Sequence, residues 1–431
     1  RYFDQHMNNM RRGIKDGVTA PEPIMPGVIT AIENLTAIAI EDHPLAAPFM
    51  NVNPDLPEAL RVEIKQKGLA VMHGSVMPAY RKVLGFMETD YAPKARKQIG
   101  LSSVRGGKAQ YETLVKYYTT LDITPDQVHA LGLSEVARIR SEMDTVIAAS
   151  GFKGSFKEFL HFLRTDPQFY ATSRVQLLKE AAYIAKRIDG KMPEYFRTLP
   201  RLSYGVIPVP RELEQAYTTG RYFGGNATQG KAGNYVVNTY DLSQRPLYNL
   251  PALTLHEGVP GHHHQISLAA EQDDVPQFRE KLYPHAFGEG WGLYAEKLGE
   301  EMGIYQTPYE KFGRLTYEMW RACRLVIDTG IHYKGWSREQ AERCLFDNSA
   351  LAPHNIKTET DRYIAWPGQA LAYKMGELKI LELRARAKAK LGLKFDIRDF
   401  HDAVLVNGAM PLNLLEAQID DWIAEQIKPA Q

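Results

Sequence analysis

Two cysteines in 431 residues are too few for a disulfide-built scaffold, and they lack the short spacing of a zinc ribbon. Both, Cys323 and Cys344, fall in segments that read as helix, and buried free thiols are the expectation for them. Long apolar runs are also missing. Uninterrupted stretches such as residues 37–40 and 69–72 fall far short of the ~20 residues of a spanning helix, so no membrane span is expected. Charge of one sign is not in excess: 52 basic and 51 acidic residues are interspersed and leave a formal charge of +1. With no basic run to follow a phosphate backbone, no nucleic-acid partner is expected. Repeats of fixed length and low-complexity tracts are absent too, which excludes solenoids and tails. The chain opens on Arg1 rather than methionine, as a processed or truncated product would.

What is present is helical periodicity over most of the length. Apolar residues recur at helical spacing through residues 1–17, 26–42, 56–74 and 76–91, with Pro57 and Pro78 where first turns tolerate proline. Thr124, Pro125 and Gln127 form a capping box that launches a long helix to about Ala149. Only around residues 197–240 does the period change. LSYGVIPVP, interrupted by Pro208 and Pro210, suits an edge strand, and GNYVVNTY (233–240) reads as a second strand. Asn249 is placed to cap a helix with Pro251 in its first turn, and helix resumes after Gln265.

Chemistry concentrates in residues 255–265, LHEGVPGHHHQ. A His-Glu pair on a helix is the start of the zinc-protease arrangement, in which the histidine holds metal and the glutamate activates water. His256 and Glu257 are that pair. One turn on, where a second histidine normally stands, the chain has Pro260. Proline cannot return a hydrogen bond to the carbonyl of His256, and Gly261 tolerates unusual backbone angles, so the helix is expected to bulge. That bulge would bring His262 to the second ligand position, with His263 as the alternative.

These motifs resemble a bacterial family catalogued only as a domain of unknown function and grouped with the gluzincin zinc metallopeptidases. Its fold is related to those of angiotensin-converting enzyme and the bacterial zinc carboxypeptidases. The resemblance runs through HEGVPGHHHQ, FGEGWGLYAE (287–296), GGKAQYETLVKYYTTLDITPDQVHALGL (106–133), DTGIHYKGWS (328–337) and YIAWPGQALAYKMG (363–376). It implies a mostly α, elongated fold with a small sheet beside the metal helix and a central cleft. It implies Glu289, 27 residues beyond His262, as the third zinc ligand, and it points to an extracytoplasmic location. A thermolysin-like enzyme orients its metal histidine with an aspartate four residues after the glutamate. Here that position is Leu293, so His285, Asp328 and His332 are the candidates for this role.

The expectation is one integrated unit: a helical lobe over residues 1–196 lining the cleft, and a catalytic lobe over 197–431. Its function would be zinc-dependent hydrolysis of oligopeptides with Glu257 as general base. Tyr373, Tyr363 or His332 would stabilise the oxyanion, and Arg362 or Lys374 would meet a substrate carboxylate. Asn234, Tyr235, Val236, Val237 and Asn238 are expected to offer an unpaired strand edge to an extended peptide. The rival readings are a zinc hydrolase of non-peptide amides or esters, which has no need of a strand edge, and a non-catalytic metal-binding helical scaffold.

Overall fold

A computed structural model describes residues 1–211, 213–272 and 275–428. The protein is mostly helical, with one three-stranded sheet. It divides into two compact units, 1–107 and 108–431, an earlier division than the one expected at 196/197.

In the first unit, helices α1 (Tyr2–Asp16), α2 (Met25–Ala37), α3 (Glu58–Val71) and α4 (Met77–Phe86) follow the periodic segments of the sequence. Their centres are rich in methionine. Met7, Met25 and Met87 pack with Phe86 and Tyr91, and Met72 and Met77 with Ala46. Flexible thioethers fill gaps between helices whose regular turns are interrupted at Met72–Val76 and Met87–Tyr91.

Helix α5 (Gly107–Thr119), whose first residue closes the first unit, leads the second, followed by α6 (Pro125–Ser150), which the Thr124–Gln127 capping box starts as the sequence predicts. After α7 (Arg174–Asp189) come three strands: β1 (Tyr204–Pro208), β2 (Gly220–Phe223) and β3 (Gly233–Val237). The remaining helices that matter to the site are α8 (Leu250–Glu257), α9 (His262–Ala270), α10 (His285–Glu301), α11 (Pro308–His332), α12 (Arg338–Asn348), α13 (Pro353–Ala365) and α14 (Ala372–Leu391). Asn249 precedes α8 but makes no side-chain cap.

The sheet corrects one expectation. Its order is β1-β3-β2, with β3 parallel to β1 and antiparallel to β2. β3 is therefore central and hydrogen-bonded on both sides, so residues 234–238 have no free edge to offer a peptide. Tyr235, Val236 and Val237 are all buried, as suits a strand covered on both faces. The free edges are those of β1, where Pro208 lies, and of β2.

Helix α11 is the axis of this unit, buried from Phe312 to His332. A second correction is found on it: Cys323 forms a disulfide with Cys344 on α12. The two thiols belong to different helices, and only packing brings them together. No helix among the described residues is long and apolar enough to cross a membrane.

Candidate metal centre

All eight residues of α8 are buried, so His256 and Glu257 lie at the end of a helix that is apolar on every side. The helix does not bulge at Pro260; it stops. Residues 258–261 interrupt it, and α9 starts afresh at His262. Gly261 permits this turn, because a Cβ there would lie 2.0 Å from the carbonyl oxygen of His256. Trp291 of α10 fastens the turn, its indole N–H donating to the carbonyl of Pro260 over 2.7 Å.

The break points two imidazoles at one carboxylate. Nε2 of His256 lies 3.5 Å and Nε2 of His262 3.4 Å from Oε2 of Glu289 on α10, and one donor atom from each of the three lies within 4.8 Å of the others. Two nitrogens and an oxygen at this spacing could hold a divalent cation, and the donor set suits zinc. Room for the His256 ring comes from Gly292, where a Cβ would sit 2.7 Å from it.

Electrostatics follow from the packing. Burial opposes charge on His256, but Glu289 and Glu296 on either side raise it to about 9. Glu289, also working against burial, is held well below the usual carboxylate range by hydrogen bonds from His256 and His262. A cation would take the place of the protons these groups share, so its binding releases protons. Oε2 of Glu257 and Nδ1 of His262 are buried without a hydrogen-bond partner among the described residues.

The group that orients His256 is one the sequence reading misses. Glu296, 1% exposed, accepts from Nδ1 of His256 at 2.8 Å, fixing the tautomer that leaves Nε2 free for a metal. It stands seven residues after Glu289, two turns along the same face of α10, whereas the thermolysin-like spacing is four. His285, Asp328 and His332 do not take this role. Asp328 accepts from Tyr111 and from the N–H of Gly368, His332 bonds the carbonyl of Tyr363, and His285 packs edge-on or tilted against the rings of Tyr118, Tyr283 and Trp366. His263, the alternative ligand, turns away to the hydroxyl of Tyr222, and burial lowers it to about 4.

A cavity of about 420 Å³ opens beside the three ligands. Residues 218–222, at the free edge of β2, form one wall; Tyr317, Trp320, Arg321 and Arg324 of α11 form another. Of the three oxyanion candidates only Tyr373 lines it. The Tyr363 hydroxyl is spent on Trp320 and Arg324 at 2.8 and 2.9 Å, and His332 is fully buried elsewhere. Arg362 also lines the cavity, but Lys374 does not: it is buried among Glu135, Glu318 and Glu377.

A crystal structure of a candidate lipoprotein from Colwellia psychrerythraea superposes on 97% of this chain and 73% of its own, with a TM-score of 0.92 and 34% identity. A candidate lipoprotein of unknown function from Shewanella oneidensis shares the fold at a TM-score of 0.69 and 16% identity, over 92% of this chain and 73% of its own. No curated protein matches. The model of one family, bacterial proteins of unknown function (DUF885), matches residues 1–419, and with that match over nearly its whole length the chain belongs to this family.

Proposed function

We propose that this protein is a zinc-dependent hydrolase of the gluzincin type that cleaves oligopeptides, with Glu257 as general base. The observation that carries the reading is the convergence of His256, His262 and Glu289 beside a buried carboxylate, Glu257, whose Oε2 has no partner among the described residues. Four such groups have no packing rationale, because unpaired buried charge is costly.

When bound by these ligands, zinc supplies an open position that acidifies water and polarises a carbonyl. Glu257 takes the water's proton and delivers it to the departing amine nitrogen. Glu296 holds His256 in the tautomer that coordinates. Tyr373, kept protonated because burial raises its phenol, donates to the carbonyl oxygen as that atom gains charge. The free edge of β2, whose residues line the cavity, is where an extended substrate adds as a further strand.

An extracytoplasmic site of action fits the Cys323–Cys344 disulfide, a bond that persists in oxidising compartments. The lipoprotein description of the Colwellia structure supports the same reading.

The test is metal content together with digestion of a peptide library read by mass spectrometry, for the parent and for Glu257→Gln. Both proteins are expected to hold zinc, and only the parent to cut. A variant that cuts as fast as the parent, or a parent that takes up no zinc, sinks the reading.

A further inference from the structure

The cavity beside the metal ligands carries more positive charge than its hydrolytic chemistry uses. Arg321 and Arg324 lie one turn apart on α11, both at most 5% exposed, and Arg362 approaches from α13. Each is held in place on one side. Arg324 donates from Nε to the Tyr363 hydroxyl and from Nη2 to Glu359 at 2.9 Å, and its guanidinium lies 4.6 Å from the Trp320 ring and 4.2 Å from the Tyr373 ring. Arg362 shares the same Glu359 and donates to Gln369. Arg321 reaches Glu296 at 3.4 Å, the carboxylate already engaged by His256.

Three guanidiniums thus face two carboxylates, one of which is committed to a metal ligand. Two donors remain buried without a hydrogen-bond partner among the described residues, Nη1 of Arg324 and Nε of Arg321. A buried guanidinium donor left open costs free energy unless something arrives to accept from it. Arg321, Arg324 and Arg362 outnumber by one the two carboxylates they bond, and the planar fork of a guanidinium matches a carboxylate; Arg221, Glu257 and Glu289 line the same cavity.

We propose that Arg324 and Arg321 anchor a carboxylate of the substrate, so that the protein acts on peptides bearing a free acid within a residue or two of the scissile bond. Only Glu296 separates Arg321 from the ligand His256, and successive Cα atoms are ~3.8 Å apart, so a carboxylate so placed is adjacent to the cut. The acid is either a peptide C-terminus or an aspartate side chain, two forms of one chemistry. This proposal rests on the hydrolase reading for its position in the substrate but not for its test.

The experiment measures binding rather than turnover. Glu257→Gln, zinc-loaded and after chelation, is titrated calorimetrically with acetyl-trialanine as acid and as amide, and with acetyl-Ala-Asp-Ala amide. The acid is expected to bind about tenfold or more tightly than the amide, the worth of a charged hydrogen bond. The preference should survive chelation and fall to near unity in Glu257→Gln/Arg324→Gln. Should that second variant fail to fold, the acid-to-amide ratio with and without metal still decides. If the aspartyl amide binds like the acid, a side chain is recognised; if it binds like the plain amide, a C-terminus is. Equal binding of acid and amide overturns the proposal, as does a preference that disappears with the metal. Parent protein that cuts none of these peptides while the binding preference holds would sink the hydrolase reading alone.

Discussion

Two buried clusters of charge lie along α11, and they are built in opposite ways. Around Lys374, fully buried on α14, every charge has an opposite partner: Glu377 at 2.6 Å, Glu318 at 2.7 Å and Glu135 at 3.0 Å, with Arg138 and Arg314 bonded to the same glutamates. A turn further on, Arg321, Arg324 and the Glu257 carboxylate, each with an unpartnered atom among the described residues, line the cavity beside the candidate metal ligands, whereas the unpartnered Nε of Arg314 and Oε1 of Glu377 in the first cluster belong to residues that do not line it. The closed cluster joins α6, α11 and α14. The open one has the form of a site waiting for a ligand. Buried charge alone therefore does not mark function, and neither does an unpartnered atom, since both clusters have some; what separates the second is the cavity it lines. Lys374, expected from the sequence to meet a substrate, lies among its three glutamates and outside the cavity, and Arg324 is the anchor proposed instead.

The sharpest way to break the comparison is to remove one group from each cluster. Glu257→Gln should lower kcat/KM by about 10³–10⁴-fold, the usual worth of a general base, with melting temperature and zinc content unchanged. Lys374→Met should do the reverse. It strips the buried Glu377 of its ion-pair partner and should cost about 3–5 kcal/mol in urea unfolding, while metal uptake by the folded fraction is retained.

Asp328, farther along α11, is a third case, hydrogen-bonded to a hydroxyl and an N–H and with no ion pair among the described residues. Burial raises its carboxyl from 3.8 to about 7. The folded protein then keeps this proton over a range where the unfolded chain has lost it, so the contribution to stability is greatest below pH 4 and declines as pH rises to 7. Against Asp328→Asn, the parent's unfolding free energy should fall by about 2–4 kcal/mol between pH 4 and 7.5; parallel pH profiles would contradict this. The smallest effect is expected at Glu296. Glu296→Gln retains a hydrogen bond to His256 but loses the charge, and should weaken zinc affinity by about 10–100-fold in a competition titration with a chromophoric chelator.

How much of this was legible before the structure varies with the range of the interaction. The capping box of α6 and the strand interrupted at Pro208 are local signals, and each appears where the sequence placed it; a break near Pro260 was legible too, but as a bulge, where the structure ends one helix and starts another. His256 was within reach through its pairing with Glu257, His262 through the expected distortion at Pro260 and Glu289 only through the family resemblance, and the structure brings the three together. Glu296 lies two turns after Glu289, beyond the one-turn spacing of the thermolysin-like pattern. The central position of β3 depends on a later strand entering between two earlier ones, a pairing no local pattern encodes. Similarly, Cys323 and Cys344 meet only because α11 and α12 do. Arg321 and Arg324 look like ordinary charges on paper, since nothing in the sequence says that both faces of their helix are covered.

The contact between α10 and α14 has an effect beyond packing. Gly290 and Gly376 meet main chain to main chain, where a Cβ on Gly376 would fall 1.8 Å from the carbonyl oxygen of Ala286. Glu289, next to Gly290, thus rides on a rod pressed directly against its neighbour, with no compressible side chain between. A single methyl at Gly376 would act as a wedge there, and the reach of the third ligand is set by a residue with no donor atom to give.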